Sequence, residues 1–181
     1  MKQKKKAKKN KLPLGIITFE PVPVMFFNPK IKNHRINSLK QKKDQLKKLK
    51  IDFLIVIRFN KNFSLFKAED FIKKIIYKKT KCKILYVSKN FKFGHKRQGS
   101  IKTLKKYEKF YNYKCLITKP LKKNKNVISS SLIRKKITSG KIQEINKLLN
   151  REWSIEGKVI IGQKRGRKIG FPTCNVKLND Y

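Results

Sequence analysis

Acidic residues are scarce in this sequence, with 10 Asp and Glu against 50 Lys and Arg in 181 residues, so the formal net charge is +40. Two His and three Cys are also too few to build much of a metal site. The cysteines at positions 82, 115 and 174 are odd in number and far apart, which indicates free thiols. We therefore expect a protein of the reducing cytoplasm.

Long apolar runs are missing as well, since none approaches the roughly 18 residues needed to cross a bilayer. The basic N-terminus, MKQKKKAKKNK, is not followed by the apolar region of a secretory signal, and no membrane partner is expected. The chain is not polar throughout, because 39% of its residues are hydrophobic and 12 are Phe. That content is enough for a core and excludes wholesale disorder.

The basic residues are mostly lysines, which limits what the charge implies. Only seven are Arg, at positions 35, 58, 97, 134, 151, 165 and 167, and the other 43 are Lys spread along the chain. Arg binds phosphates bidentately, whereas Lys is a solvated point charge. Two interpretations stay open, selected polyanion binding and a compositional bias that fills solvated faces with Lys. Weak, non-specific, salt-sensitive nucleic-acid binding follows from either one.

Apolar runs and helical spacings alternate along the first 150 residues. Strands are predicted at 14–19, 53–59, 84–87 and 114–118, and helices at 38–50, 68–77, 100–111, 131–138 and 142–149. This alternation indicates an α/β domain with a parallel sheet. After Asn150, a strand predicted at 153–161 and a Gly-rich stretch indicate the opening of a β-rich unit.

Four segments could carry chemistry, and each has an ordinary structural alternative. VISSSLIR (127–134) presents hydroxyls and a helix N-terminus to an anion, or is a plain Ser N-cap. NFKFGHKRQG (90–99) combines rings, a Gly hinge and cations, or is a surface loop. TFEP (18–21) follows the first strand, where α/β sheets bind ligands, or is a loop carboxylate. GQKRGRKIGFPTCN (162–175) could wrap a nucleotide phosphate, or is a basic hairpin.

Five stretches, in order along the chain, resemble the prokaryotic bifunctional riboflavin kinase/FAD synthetase family. They are TFEPVPVMFFNP, RFNKNFSLFKAEDFI, NFKFGHKRQGS, VISSSLIRKKITSGKIQEINKLLNR and GKVIIGQKRGRKIGFPTCNV. They are similar to the family patterns TFEPHPxxFF, RFxxxFxxLxxExFI, DFxFGxxRxGD, ISSTxIRxxIxxGxxxxAxxLLGR and GxVxxGxxxGRxxGFPTxN. The resemblance covers about residues 12–176, and many ordered motifs carry it together.

The resemblance implies a Rossmann-like nucleotidyltransferase domain with a parallel sheet over residues 1–150. It implies the first strands of a β-barrel riboflavin kinase domain over residues 151–181. In the first domain FMN would attack the α-phosphorus of ATP, giving FAD and pyrophosphate with Mg²⁺, and the second would belong to an enzyme that phosphorylates riboflavin to FMN. The implied partners are small-molecule nucleotides and flavins.

The resemblance also implies roles for individual residues, although it assigns no catalytic one. The ATP phosphates would be held by Ser129, Ser130 and Arg134. The flavin and nucleotide loop would contain Asn90, Phe91, Gly94 and Arg97. The kinase segment would hold Mg²⁺–ATP through Lys164, Gly166, Gly170, Thr173 and Asn175. Of these, Thr173 and Asn175 would be the Mg²⁺ ligands.

The sequence also departs from the family pattern. Val22 replaces a His, Asn90 and Ser100 replace Asp residues, and Ser131 replaces Thr. The family's opening GxFDGxHxGH segment, whose histidines stabilise the transferring phosphate, is absent, and the chain stops a few residues after FPTCN. We therefore expect a chain trimmed at both ends that makes little or no FAD or FMN. The alternative from another class is a Lys-rich RNA- or ribosome-associated binding protein without catalysis.

Overall fold

The computed structural model describes residues 2–31, 34–123, 126–178 and 181 of the chain. Its strands are β1 Gly15–Glu20, β2 Phe53–Arg58, β3 Ile84–Ser88, β4 Lys114–Thr118, β5 Lys122–Lys123, β6 Asn126–Val127, β7 Lys158–Ile160 and β8 Asn175–Lys177. Its helices are α1 Lys2–Lys9, α2 Pro23–Phe27, α3 Leu39–Lys48, α4 Lys61–Ser64, α5 Ala68–Asp70, α6 Ile101–Lys106, α7 Ser130–Thr138, α8 Ile142–Leu149 and α9 Arg165–Lys168. Helix α5 continues as a π-helix over Phe71–Lys79, and a 3₁₀ turn covers His95–Arg97.

The chain divides into two compact units. The first contains Met1–Ile57 and Ser129–Tyr181, and the second contains Arg58–Ile128. Strand β1 pairs with β2, β3 with β4, β5 with β6 and β7 with β8. The β3–β4 pair is parallel, from Ile84 opposite Lys114 to Ser88 opposite Thr118. The fold is therefore mixed α/β with parallel strand pairing.

In the first unit, polar contacts fix where the elements begin. The backbone N–H of Leu14 donates to Asp52 Oδ2 at 2.6 Å, and the N–H of Asp52 donates to Leu14 O at 3.1 Å. Asp52 thereby aligns the starts of β1 and β2. Ser38 begins α3 with a capping box in which its side chain and that of Gln41 satisfy each other's backbone N–H groups.

The second unit is built around a buried helical face. Phe71, Ile72, Ile75 and Ile76 are buried along the π-helical continuation of α5. The Tyr113 hydroxyl donates to the backbone carbonyl of the buried Leu104, and burial raises the pKa of Tyr113. This packing supports β3 and β4 and the loop that follows β3.

The predicted elements before residue 150 are confirmed, with shifts at their ends. The helix predicted at 68–77 extends to Lys79. The one predicted at 100–111 ends at Lys106, where the Tyr107 N–H donates to Leu104 O, three residues back, at 3.3 Å. The strand predicted at 153–161 is shorter, covering only Lys158–Ile160. Trp153 lies outside it because its indole N–H donates to Ile36 O at 2.7 Å instead. Among the described helices, none combines the length and apolar character needed to span a membrane.

Candidate functional site

Two arginines from separate parts of the first unit donate hydrogen bonds to one short segment, residues 34–37. Arg134, one turn into α7, donates from Nε to His34 O at 2.7 Å. Arg151, after α8, donates from a terminal nitrogen to Asn37 Oδ1 at 2.9 Å. Arg is rare in this chain, and two of its seven arginines bind these four residues. We therefore treat segment 34–37 as part of a candidate site.

Segment 34–37 is also tied to the end of β1. Arg35 forms an ion pair with Glu20, the last residue of that strand, and both side chains are largely buried, at 16% and 20% exposed. Lys42 on α3 donates to Thr18 Oγ1 at 3.0 Å on the same strand. The TFEP segment and Arg134 are therefore linked through Arg35 and His34. We call Glu20, His34, Arg35 and Arg134 the arginine corner.

The electrostatics of this corner favour an anion. Burial, followed by the charges of Arg134 and Arg35, lowers the pKa of His34, so that the imidazole is held neutral more readily than a free one. Burial also lowers the pKa of Arg134, although its guanidinium stays charged because its reference pKa lies far above neutrality. With Nε bound to a carbonyl, the terminal nitrogens of Arg134 remain for a second acceptor. A phosphate group is a suitable acceptor for that edge.

The N-terminus of α7 carries the predicted hydroxyls. Ser129 is the N-cap, and its Oγ accepts the Leu132 N–H at 3.2 Å, so the plain capping role is real. The Ser129 hydroxyl proton is still a donor, and both Ser129 and Ser130 are exposed. A helix N-terminus with exposed hydroxyls and an Arg one turn further on is a suitable phosphate site. The capping and phosphate-binding roles are thus compatible.

The 90–99 loop, in the second unit, is tightly held. Phe93 and Gly99 pair their backbones through bonds of 3.2 and 2.8 Å, and the His95 N–H donates to Phe66 O at 2.6 Å. Gly94 has φ +75° and ψ 173°, a region that is essentially restricted to glycine. A Cβ there would also lie 2.8 Å from the Ala68 backbone nitrogen. Gly94, which the sequence predicts as a hinge, is therefore held in a fixed conformation close to the Ala68 backbone.

The same loop presents a ring and a cation. The ring of Phe91 stacks on that of Phe93, with centroids 5.5 Å apart and planes 18° apart. Lys96 and Arg97 are consecutive residues with positive φ, 48° and 60°, and both are exposed. Left-handed backbone at two such residues is costly and persists only where surrounding contacts impose it. The exposed Asn90 opens this loop, which holds Arg97 at its tip.

In the 162–175 segment, two glycines lie against the predicted Thr/Asn pair. A Cβ at Gly166 would lie 3.2 Å from Thr173 Oγ1, and one at Gly162 would lie 2.2 Å from Asn175 Nδ2. Gly170 adopts φ +82° and Lys164 φ +54°, which bend the chain between β7 and β8 around α9. The structure therefore brings Gly166 to Thr173 and Gly162 to Asn175, whereas nothing lies within 4 Å of a Cβ built at Gly170.

The donor set of that segment fits Mg²⁺ only in company with phosphate. Thr173 and Asn175 offer neutral hydroxyl and amide oxygens, which are hard ligands of the kind Mg²⁺ takes. No cluster of three His, Cys, Asp or Glu side chains exists among the described residues, so this part of the chain provides no acidic cage. Two neutral ligands would leave the charge of such a cation to be balanced by another anion, such as a phosphate.

Sequence reasoning missed Arg35, Arg151 and the role of His34. His34 contributes its backbone carbonyl, which no side-chain pattern reveals. The two arginines could have been found from scarcity alone, because an Arg in a Lys-dominated chain indicates a position where a lysine would not serve.

The family models that match this chain agree with the names of its curated relatives. Residues 1–132 match the family model described as FAD synthetase, and residues 149–181 match the one described as riboflavin kinase. A bifunctional riboflavin kinase/FMN adenylyltransferase of Buchnera aphidicola subsp. Schizaphis graminum is 42% identical over 172 residues, 94% of this chain and 55% of the relative. Proteins of that same name from Haemophilus influenzae and Escherichia coli are 33% and 30% identical, covering 97% and 94% of this chain.

The coverage of these relatives is partial on their side. The matched region is 57% of the Haemophilus relative and 55% of the Escherichia coli one, so this chain spans about half the length of the curated relatives it matches. A crystal structure described as a macrolide-efflux protein from Streptococcus pneumoniae is similar with a TM-score of 0.79 and 29% identity. The match covers 98% of this chain and 57% of the Streptococcus pneumoniae chain, so the two share their fold along nearly all of the present sequence.

Proposed function

The chain belongs to the FAD synthetase family, and on that premise we propose that it binds ATP and FMN, the substrates of an enzyme that transfers AMP to FMN and gives FAD and pyrophosphate. The observation that carries this proposal is the hydrogen bond from Arg134 Nε to His34 O, which orients the guanidinium of a residue one turn into α7 and leaves its terminal nitrogens for a phosphate. We further propose that residues 1–150 form a Rossmann-like nucleotidyltransferase domain. Parallel pairing of β3 with β4 and a ligand-type corner at the end of β1 support that assignment.

The reaction itself demands charge neutralisation and alignment. A phosphate oxygen of FMN forms a bond to the α-phosphorus of ATP while the bond to the β-phosphate bridging oxygen breaks, so pyrophosphate leaves with the electron pair. Arg134 and the N-H groups at the start of α7 neutralise phosphate charge, and the hydroxyls of Ser129 and Ser130 orient phosphate oxygens. Mg²⁺, when bound, would supply the remaining positive charge to the phosphates.

The 90–99 loop would contact the flavin and the nucleotide. Phe91, which is half-buried and stacked on Phe93, would be the ring on which an isoalloxazine or adenine stacks. Arg97, exposed at the tip of the rigid turn, would reach a phosphate, and Asn90 would supply an amide hydrogen bond. Gly94 would act by permitting the turn.

Residues 151–181 would be the opening of a β-barrel riboflavin kinase domain that phosphorylates riboflavin to FMN. The match of residues 149–181 to the riboflavin kinase family supports this, as does the antiparallel pairing of β7 with β8. Lys164, Gly166 and Gly170 would form a flap over the phosphates of ATP. Thr173 and Asn175 would complete the shell of a phosphate-bound Mg²⁺. We place both reactions in the cytoplasm, an assignment that the three free thiols support.

The deciding experiment is ATP binding to the 181-residue chain by calorimetry. Arg134→Ala should weaken ATP binding about tenfold or more, and Arg134→Lys should recover part of it, because a lysine restores the charge but not the planar donor edge. Arg58→Ala, which removes an equal charge from an exposed position at the end of β2, is the matched control and should bind like the wild type. Unchanged affinity in Arg134→Ala would overturn the assignment of this corner to ATP.

Binding of FMN gives a separate measurement. Flavin fluorescence should be quenched when FMN binds near aromatic rings, and Phe91→Ala should reduce that quenching more than Arg134→Ala does. An Arg134 effect on ATP with no Phe91 effect on FMN would keep the nucleotide site and reject the flavin loop.

A further inference from the structure

The second unit has a strongly basic surface made by two stretches, residues 71–83 and 101–114. Their eleven lysines are all exposed: Lys73, Lys74, Lys78, Lys79, Lys81, Lys83, Lys102, Lys105, Lys106, Lys109 and Lys114. The only acidic residue in either stretch is Glu108, and its carboxylate accepts the Cys115 N–H at 2.6 Å. Lys74 forms an ion pair with Asp70 at 3.3 Å, and the other ten lysines have no carboxylate partner among the described residues. The two stretches therefore carry a dense positive field at the surface.

An aromatic cluster joins these two stretches. The ring of Tyr111 lies 4.8 Å from that of Tyr77, 5.9 Å from that of Tyr107 and 4.7 Å from that of Phe110, measured between centroids. Phe110 is 76% exposed and Tyr77 is 47% exposed, so the cluster reaches solvent at both ends. Lys106 lies over the Tyr107 ring at 5.8 Å from its centroid. We call these four rings and the eleven lysines the Tyr77–Phe110 surface.

We propose that the Tyr77–Phe110 surface binds single-stranded nucleic acid. Unpaired bases expose faces that stack on aromatic rings, and the phosphates between them require cations nearby. This surface supplies both kinds of group, and Lys106 lies directly over the Tyr107 ring. The buried fold does not explain Phe110, because a phenyl ring this exposed gains little from its neighbours. The inference is independent of the flavin reaction, since none of its residues belongs to the arginine corner or to the 90–99 loop.

An anionic membrane is a less suitable occupant of the same charge. Surfaces that insert into membranes expose aliphatic and aromatic side chains together on one helical face. In residues 71–83 and 101–114 the exposed large apolar side chains are Tyr77 and Phe110 alone, with no exposed Leu, Ile or Val. Rings without aliphatic neighbours favour stacking over insertion.

The test is fluorescence anisotropy of a labelled oligothymidylate of about 15 nucleotides, titrated with the 181-residue chain at several salt concentrations. Phe110→Ala should weaken binding about tenfold, and the ratio should persist as KCl rises from about 50 to 200 mM, because stacking is not screened. The double change Lys105→Gln with Lys109→Gln should weaken binding mainly at low salt. Its slope against the logarithm of salt should fall by about 1 to 1.5.

The matched control is Lys47→Gln with Lys48→Gln, an equal loss of exposed charge on α3 of the first unit. It should retain most of the affinity. Equal losses from both lysine pairs, with no effect of Phe110→Ala, would mean that net charge alone attracts the oligonucleotide, and would overturn the proposal. Binding to phosphatidylserine vesicles that depends on Phe110, without Phe110-dependent oligonucleotide binding, would assign the surface to a membrane instead. Thermal unfolding checks that each variant is folded.

Discussion

Arg35 lies against Glu20 where β1 ends, and its neighbour in sequence, His34, accepts a hydrogen bond from Arg134. The guanidinium that is proposed to meet phosphate is therefore oriented by a segment that is itself held by an ion pair. One oxygen of Glu20, Oε2, is buried and has no hydrogen-bond partner in the described part of the chain. The Glu20 carboxylate therefore interacts mainly with Arg35. We regard Glu20 and Arg35 as residues that position His34 and, through it, Arg134.

Glu20→Gln tests whether the Glu20–Arg35 ion pair helps to position Arg134. The amide keeps the size of the side chain but removes the charge that compensates Arg35, so unfolding should be easier by about 2 kcal/mol. ATP affinity of the folded protein should fall several-fold, measured by calorimetry well below the melting temperature. Lys40→Gln is the control, because its pair with Glu156 is exposed and exposed pairs contribute little. A stability loss with unchanged ATP affinity would reduce Glu20 to a purely structural role.

Gly94 allows a second test at a single residue. Gly94→Ala should destabilise the protein by about 3 kcal/mol, because the methyl group must adopt a backbone region reserved for glycine and also meet the Ala68 backbone at 2.8 Å. Gly140→Ala is the matched control: φ is also positive there, +66°, but nothing lies within 4 Å of the added Cβ. Its cost should be about 1 kcal/mol. Chemical denaturation measures both, and equal costs would refute the steric argument.

Site prediction from sequence worked where side chains carried the signal. The Ser129 cap follows from residue type and position. The fixed turn at Gly94, expected as a hinge, and the close approach of Gly166 to Thr173 were not predicted. Their roles toward ATP, flavin and Mg²⁺ stay predictions. The arginine corner could not be predicted, because it depends on a backbone carbonyl, His34 O, brought to Arg134 from 100 positions away in sequence.

Among the elements, α7 has to serve two purposes at its first residue. Ser129 satisfies the Leu132 N–H, and the same helix end is proposed to attract phosphate. Both purposes use the partial positive charge of the helix N-terminus, but they respond differently to a fixed negative charge placed there. That difference separates them experimentally.

Ser129→Asp should preserve the capping of α7 but weaken the binding of ATP. Asp is as good an N-cap as Ser and is favoured by the helix dipole, so the melting temperature should stay equal or rise slightly. The carboxylate should repel ATP and weaken its binding about tenfold or more. Ser129→Ala should do the reverse, costing about 1 kcal/mol of stability with a smaller effect on ATP. If Ser129→Asp binds ATP normally, the α7 N-terminus does not meet the phosphates.

Element prediction succeeded where the apolar pattern was strong and local. FLIVIR became β2, and Phe71, Ile72, Ile75 and Ile76 became a buried helical face, although no pattern distinguishes the π-helical bonding observed there. The short helices α2 and α4 and the two-residue strands β5 and β6 were not predicted, because they contain too few residues to show a period. Trp153 lies outside its predicted strand because its indole N–H donates to Ile36 O. Local propensity contains no information about a partner so distant in sequence.

For the whole molecule, charge is the dominant physical fact. The described residues contain five ion pairs, whereas the formal net charge is +40. Most lysines therefore face other cations across solvent instead of carboxylates. Whether compositional bias or polyanion binding accounts for their number stays a prediction, and the Tyr77–Phe110 surface is where we propose that exposed rings and lysines serve a specific partner.

Such an imbalance makes the response to salt a direct test of self-repulsion. In a protein with balanced surface charge, salt weakens favourable pairs, but here it should chiefly screen repulsion, so the melting temperature should rise with KCl. A gain of about 1 kcal/mol corresponds to roughly 2–4 °C for a chain of this length. Scanning thermal unfolding between about 20 and 300 mM KCl spans Debye lengths from about 20 to 6 Å and measures the effect. Sulfate at equal ionic strength should stabilise the wild type more than Arg134→Ala if the arginine corner binds anions. A melting temperature that falls with KCl would mean that the five ion pairs outweigh the repulsion among the lysines.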